Sequence, residues 1–163
     1  MNVGNEPLKL SHLSQFTQLN NVLKEIERLY PPVLGFSRGV VKDIEYNGYK
    51  IPAGWYIIVP AMLTHRLEEI YANPHSFDPD RFASPREEDK KHPLALVGFG
   101  IGNHSCLGRE FAKMEMKIIL STILRNYDWQ VTCSRKKHRY LQHPIQQPLK
   151  VQDSLSIVLQ RLI

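Results

Sequence analysis

The chain has 163 residues and a formal net charge of +5, with 42% hydrophobic and 23% charged residues. This length can form one domain with its own core, and the composition is that of an ordinary soluble protein. No apolar run reaches the length of a membrane span, and the basic residues form no known nucleic-acid-binding motif, so we expect no membrane anchor in this chain and no nucleic-acid partner.

The first regular element is predicted to be a helix over residues 13–30, because apolar side chains recur there at helical spacing. Residues 1–12 are expected to be irregular. A double proline at 31–32 ends the helix, since proline lacks the backbone N–H and clashes with the preceding turn. Glu25 and Arg28 lie three residues apart on one face. As a surface pair they would contribute only about 0.2–0.5 kcal/mol.

Short strands are predicted after the double proline, from β-branched and aromatic runs bounded by turn residues. They span residues 38–46, 49–51, 55–59, 129–132 and 155–159. Asn47-Gly48 is a hairpin turn between the first two of them. A short helix is predicted over residues 61–69 and a long one over residues 109–125. The expected fold class is therefore mainly α with small β-sheets, an α+β architecture.

Four prolines and many charges make residues 73–94 irregular. An irregular segment of this length commonly serves or surrounds a site. Within it, Arg81 is flanked by aromatic residues that would bury it, and a buried guanidinium requires carboxylate or carbonyl partners. One economical arrangement lets Arg81 and Arg28 share Glu25, which would tie this segment to the first helix.

Cysteine usage is sparse, and the position of Cys106 is the most informative feature of the chain. Cys106 and Cys133 form neither a disulfide framework nor a C-x-x-C metal motif, so a reducing, cytoplasmic setting is expected. Cys106 lies just before the helix predicted over residues 109–125, where unpaired N–H groups and the helix dipole favour a thiolate. Such a thiolate serves as a nucleophile, a redox thiol or the axial ligand of a haem iron, whereas an inert buried thiol is the commoner fate of a lone cysteine.

Three motifs follow one another in the chain: Glu25-x-x-Arg28 with the double proline, then Pro79-Asp80-Arg81-Phe82, then the stretch FGIGNHSCLG at residues 99–108. Together they resemble the C-terminal part of a cytochrome P450, over about residues 13–162. The sequence looks most like the cyanobacterial and retinoid-hydroxylating branch. The resemblance implies that Glu25, Arg28 and Arg81 form a structural triad and that Cys106 is the axial thiolate ligand of haem b, and so its metal ligand.

The same resemblance implies which residues surround the haem. Phe99 and the backbone near Cys106 would shield the thiolate. Gly102 and Gly108 would let the loop turn tightly or approach the porphyrin closely. The positions that usually contact the haem propionates carry Arg38, His65 and His104, and most members of the family have arginine where this chain has His104.

Substrate and electron donor are implied in the same way. Val33, Leu34 and Phe36 would line the distal pocket, and their apolar character implies a lipophilic substrate such as a retinoid, carotenoid or fatty acid. Basic residues recur along the long helix, either as its solvated face or as a docking face for an acidic electron donor of ferredoxin or flavodoxin type. They are Arg109, Lys113, Lys117 and Arg125.

The family's Gly-x-(Asp/Glu)-Thr pattern for oxygen activation does not occur in the chain. Residues 1–163 are therefore expected to be a C-terminal fragment of one cytochrome P450 domain, incomplete without its N-terminal helices and without catalytic residues of its own. When complete, it would be a haem-thiolate monooxygenase. The alternatives are a truncated remnant that at most binds haem and an isomerase or dehydratase of the same family, against which the ordinary spacing of the cysteine loop counts.

Overall fold

The computed structural model describes residues 7–132, 140–141, 150–151 and 157–162. The helices are α1 (Leu10–Leu13), α2 (Thr17–Leu29), α3 (Ala61–Thr64) and α4 (Arg109–Asn126). The strands are β1 (Phe36–Gly39), β2 (Ile44–Tyr46), β3 (Tyr49–Ile51), β4 (Tyr56–Val59), β5 (Tyr127–Val131), β6 (Tyr140–Leu141), β7 (Lys150–Val151) and β8 (Ile157–Arg161). Single 3₁₀ turns span Pro79–Phe82, Glu88–Lys90 and Gly102–His104. The predicted α+β class is confirmed.

The described strands form four antiparallel pairs, β1–β4, β2–β3, β5–β8 and β6–β7. The predicted hairpin between β2 and β3 is present, with positive φ at Asn47 (49°) and Gly48 (79°), as a tight hairpin turn requires. The single strand predicted over residues 38–46 is instead divided into β1 and β2. Val40 is buried and exchanges backbone hydrogen bonds with the chain at Gly54 and Trp55, which turns the chain between the two strands.

The first helix begins later than predicted. Its expected range, 13–30, contains α2, while Leu10–Leu13 forms a separate helical turn that overlaps the end of the stretch expected to be irregular. Ser14 Oγ donates to the carbonyl of Ser11, a local bond that competes with continuation of the helix. Leu13 is buried, and α1 contacts α4, so this short turn is held by tertiary packing.

The third helix is shorter than the predicted range of 61–69, because it ends at Thr64. The long helix α4 matches the predicted range of 109–125 within one residue. Residues 73–94 are irregular, as expected, apart from two 3₁₀ turns. Within the described residues, no helix combines the length and apolar character needed to cross a bilayer.

The core lies between α2 and the irregular segment. Tyr71, Phe82 and Ala95 form a buried cluster, in which the Tyr71 and Phe82 rings meet edge to face with centroids 6.4 Å apart. Helix α2 packs against the 3₁₀ turn Pro79–Phe82 and buries charged as well as apolar side chains on that side. In α4, by contrast, apolar side chains such as Phe111 stay exposed.

Gly35 marks a close approach between two backbone segments. A Cβ atom at Gly35 would lie 2.9 Å from the carbonyl oxygen of Val59 and 3.1 Å from Cα of Pro60. Because both are backbone atoms, Gly35→Ala is expected to lower the free energy of unfolding by about 1–3 kcal/mol in urea titrations. Gly39→Ala is the matched control: its Cβ would meet Tyr56 at an ordinary 3.8 Å. Equal losses in both variants would contradict the close approach.

Candidate functional site

A fully buried ion cluster joins α2 to the irregular segment. Nε and Nη2 of Arg28 donate to the two carboxylate oxygens of Glu25 at 2.7 and 2.8 Å, and Nε of Arg81 donates to Oε1 of Glu25 at 3.2 Å. All three side chains are inaccessible to solvent. The i,i+3 pair of Glu25 and Arg28 is therefore a buried, bidentate contact, in which desolvation must be offset by complete hydrogen bonding.

Backbone carbonyls complete the hydrogen bonding of the two guanidinium groups. Arg28 donates through Nη1 and Nη2 to carbonyl oxygens, and so does Arg81. The acceptors, at 2.7–3.3 Å, are the carbonyls of His65, Ala72, Pro74 and Ser76. These carbonyls belong to a stretch without regular hydrogen bonding, so the arginines supply the donors that order it.

The cluster continues into a second set of charges that sequence reasoning missed. Nη1 of Arg81 also donates to Glu88 at 2.7 Å, Arg86 donates to Glu88 at 2.8 Å and to Asp78 at 2.7 Å, and the Asp78 backbone N–H donates to Glu25 at 2.8 Å. The bonds thus form a closed circuit. Burial raises the pKa of Glu88, but hydrogen bonds from Arg86 and Arg81 outweigh it and leave the pKa below its ordinary value.

The circuit is electrically balanced. Glu25, Asp78 and Glu88 carry three negative charges, and three arginines carry three positive ones. The triad alone would leave one excess positive charge in the interior, which Glu88 offsets. In the sequence, Glu88 follows two other charged residues and so looks like part of a solvated run. Its burial would have identified Glu88 as a member of the cluster, but that burial arises only in the folded chain.

Tyr71 is a further buried member of this region. Its ring centroid lies 5.1 Å from the guanidinium carbon of Arg28 and 5.8 Å from that of Arg81, within the range of cation–π attraction. The ring is fully buried, and its burial raises the pKa of the hydroxyl. Tyr71 therefore contacts both arginines of the cluster and also belongs to the apolar core.

The structure disagrees with the expectation that His65 contacts a haem propionate. His65 is the C-cap of α3, and its ring is fully buried. Its Nδ1 lies 3.1 Å from the carbonyl oxygen of Arg28, and its Nε2 accepts from the backbone N–H of Val97 at 2.9 Å. Both ring nitrogens are used inside the protein, so neither is left for a propionate. Burial lowers the pKa of His65 to about 4.

Residues 99–108, the ligand loop, present Cys106 to solvent as a free thiol. Gly100 and Gly102 adopt φ values of +77° and +64°, which other residues rarely tolerate. The Cys106 N–H donates to the carbonyl of Phe99 at 2.7 Å and closes the loop. Cys133, the other cysteine of the sequence, lies outside the described residues.

The two glycines predicted to serve the haem differ in their surroundings. A Cβ at Gly102 would meet nothing within 4 Å, so its φ is what requires glycine, and the residue lines an open cleft. Gly108 is the N-cap of α4 with an ordinary φ of −82°. A Cβ there would lie 3.8 Å from Sγ of Cys106 and would cover one flank of the thiol.

A cleft of about 590 Å³ lies beside the ligand loop, a size common for small-molecule sites. Its apolar walls include Phe36 and Ile101, and its polar side chains come from β1 and the loop. The lining residues are Phe36, Arg38, Val59, Leu94, Ile101, Gly102, Asn103 and His104. Two of the three propionate candidates, Arg38 and His104, therefore share this cleft. Val33 and Leu34, expected to line a substrate pocket with Phe36, are not among its lining residues.

The basic residues at the start of α4 contact the ligand loop. Arg109 donates to the carbonyl of Gly100 at 3.0 Å, and Nζ of Lys113 lies 5.5 Å from the ring centroid of Phe99. Burial raises the pKa of nearby Glu27, while the charges of Lys113 and Arg109 lower it, with a net upward shift. These two cations are thus partly engaged within the chain.

The residues around the cleft fit haem. A large apolar cleft accommodates a flat apolar ring, and an arginine and a histidine on its lining are suitable partners for carboxylates. The ligand loop, which supplies four of the lining residues, also carries an exposed thiol.

The charge balance of the buried circuit can be tested at Glu88. Glu88→Gln leaves an excess positive charge in the interior and is expected to lower the free energy of unfolding by about 3 kcal/mol in urea titrations. Glu87→Gln, which removes a surface pair with Lys90, is the matched control and should cost less than about 1 kcal/mol. Equal losses in the two single glutamate variants would contradict the balance.

The buried ring of His65 predicts a pH dependence of stability. The pKa is about 4 in the folded chain and ordinarily 6.5, so below pH 6.5 the unfolded chain binds a proton that the folded ring does not. Stability should therefore fall by up to about 3 kcal/mol between pH 6.5 and 4. His65→Gln should flatten this slope in urea titrations over the same range, whereas His75→Gln, at an exposed site, should retain it. An unchanged slope in His65→Gln would count against the buried neutral ring.

Comparison with known proteins places the chain in a family. The family model for cytochrome P450 matches residues 2–152. The chain is 42% identical over 124 residues to a putative cytochrome P450 136 of Mycobacterium tuberculosis and 40% identical to cytochrome P450 26A1 of Gallus gallus, covering 76% of this chain and 25% of each relative.

A solved structure agrees with this assignment. The retinoic acid-bound cyanobacterial CYP120A1 superposes with a TM-score of 0.89 at 30% identity, over 99% of this chain and 36% of that one. The chain thus spans about a quarter of the length of the curated relatives it matches and about a third of the solved structure. The chain belongs to the cytochrome P450 family, whose members generally hold haem through a cysteine thiolate.

Proposed function

We propose that this chain is the part of a cytochrome P450 that holds haem b, with Cys106 as the axial thiolate ligand. The observation that carries this function is the exposed thiol of Cys106 on a loop that also lines an apolar cleft through residues 101–104. Family membership supports it, because a single cysteine thiolate is one of the known modes of haem ligation.

Each residue around the cleft has a distinct role in this proposal. Arg38, exposed on β1, pairs with a haem propionate, and His104 donates a hydrogen bond to one and adds a charge when protonated. The half-buried ring of Phe99 shields the thiolate from water, and Gly102 lets the ring system approach the loop. When bound, the haem supplies the iron at which dioxygen is activated, and a thiolate ligand favours O–O cleavage.

For the complete protein we propose a monooxygenase acting on a lipophilic substrate. Substrate RH, O₂, two electrons and two protons give ROH and water. Phe36 forms an apolar wall of the cleft, and the similar CYP120A1 structure has retinoic acid, a lipophilic molecule, bound. A retinoid, a carotenoid or a fatty acid is therefore the substrate class that we propose.

The electron donor in this proposal is an acidic protein of ferredoxin or flavodoxin type. Arg109 and Lys113 lie against the ligand loop, and Lys117 continues the row along α4. Opposite charges on the donor would raise the rate of encounter at this end of the chain. We place the reaction in the reducing cytoplasm, because Cys106 must remain a free thiol to ligate iron.

Haem titration of the full chain tests the ligand assignment. The ferrous, CO-bound form of the wild-type chain should show the absorbance band of thiolate-ligated haem, and Cys106→Ser should lack it, because a serine hydroxyl does not ionise at neutral pH. Cys133→Ser is the matched control and should retain the band. A band that persists in Cys106→Ser, or is absent from the wild-type chain, would overturn the assignment for this chain.

A further inference from the structure

His65 lies between the buried ion cluster and the ligand loop. On one side, Nη1 of Arg28 donates to the carbonyl of His65 at 2.8 Å, and Nδ1 of His65 lies 3.1 Å from the carbonyl of Arg28. On the other side, Nε2 of His65 accepts the backbone N–H of Val97 at 2.9 Å. The ring therefore bonds to α2, which holds the cluster, and to the chain that leads into the loop.

The partners determine the tautomer of the ring. A backbone N–H only donates, so Nε2 must offer its lone pair to Val97. A carbonyl only accepts, so Nδ1 must carry the proton that is donated to Arg28. The neutral ring thus makes one donated and one accepted bond, and no other protonation state satisfies both partners. The positive charges of Arg28 and Arg66 also disfavour a positively charged ring.

The hydrogen bonds continue from Val97 to the cysteine. Val97 is buried, and its carbonyl accepts from the N–H of Gly100 at 2.8 Å. Phe99, between them, accepts the N–H of Cys106 at 2.7 Å. These bonds join residues that are three and seven positions apart and follow one another along the chain. The position of Val97 therefore sets where the loop begins and where the thiol lies.

We propose that His65 is a positioning residue, a role that rests on the proposed function of Cys106. His65 holds Val97 against Arg28 and so places the ligand loop and its thiolate relative to the buried ion cluster. His65 is not among the residues that line the cleft, and its ring nitrogens bond to Arg28 and Val97. Its effect on the haem site passes through the backbone of Val97, not through a propionate.

Two polar substitutions separate the two bonds of the ring. His65→Asn places its amide near the position of Nδ1, so it keeps a donor for the carbonyl of Arg28 and loses the acceptor for Val97. His65→Gln places its amide oxygen near the position of Nε2 and keeps that acceptor. His75→Asn, at an exposed site in the same irregular region, is the control for loss of a histidine.

Amide hydrogen exchange of the full chain without haem is the first measurement. In His65→Asn the amides of residues 97–106 should exchange about 10- to 100-fold faster, as expected for one buried donor left unsatisfied. Amides in α4 should change by less than about threefold, and His65→Gln should restore protection to residues 97–106. Equal effects of the two variants, no change in His65→Asn, or a gain of exchange that extends equally through α4 would overturn the role.

Haem titration of the same variants is the second measurement. The thiolate-ligated share of bound haem should fall in His65→Asn and stay near the wild-type share in His65→Gln and His75→Asn. A fall of equal size in Asn and Gln variants would overturn the positioning role. If the wild-type chain forms no thiolate-ligated haem, the proposed function of Cys106 fails, while the exchange measurement still decides the role of His65.

Discussion

The shared carboxylate of Glu25 is the interaction on which the rest of the structure depends. Removing a carboxylate and two guanidinium groups from water costs several kcal/mol per ion, so the cluster is stable only if every charge is paired and hydrogen-bonded. Glu25 meets both arginines, and backbone carbonyls and Glu88 accept from their other donors. The same bonds order a stretch of chain that has no regular structure. Because the buried arginines need acceptors, they fix the positions of carbonyl groups in residues 65–76, and the conformation of this segment depends on the ion cluster.

The cluster is larger than a triad for an electrostatic reason. Glu25 with two arginines would leave a net positive charge in a region of low dielectric, where it would be costly. Glu88 removes that excess, and Arg86 and Asp78 then connect it to the protein surface as a partly exposed pair. The interior of the cluster is therefore neutral, and its outer members connect it to water.

A buried support on one side and glycine-dependent backbone angles on the other characterise the loop that carries Cys106. His65 and Val97 connect the ligand loop to the ion cluster, whereas Gly100 and Gly102 allow backbone angles that bring the thiol to the surface beside an apolar cleft. Sites of this kind hold a ligand well when the loop is short and its support is buried. In the proposed function, this connection would support the haem ligand from the side of the ion cluster.

Sequence by itself determined the features that depend on near neighbours: the helix before the double proline, the Asn47-Gly48 hairpin, the long α4 helix, and the loop that carries Cys106. Periodicity, proline and glycine act over a few residues, so they can be interpreted without a fold. Tertiary structure alone decided that His65 is buried and that Glu88 balances the cluster. Their burial depends on partners that the fold brings together, such as Val97, which lies 32 positions from His65 in the sequence. Contacts over such a separation cannot be inferred from the spacing of residues along the chain.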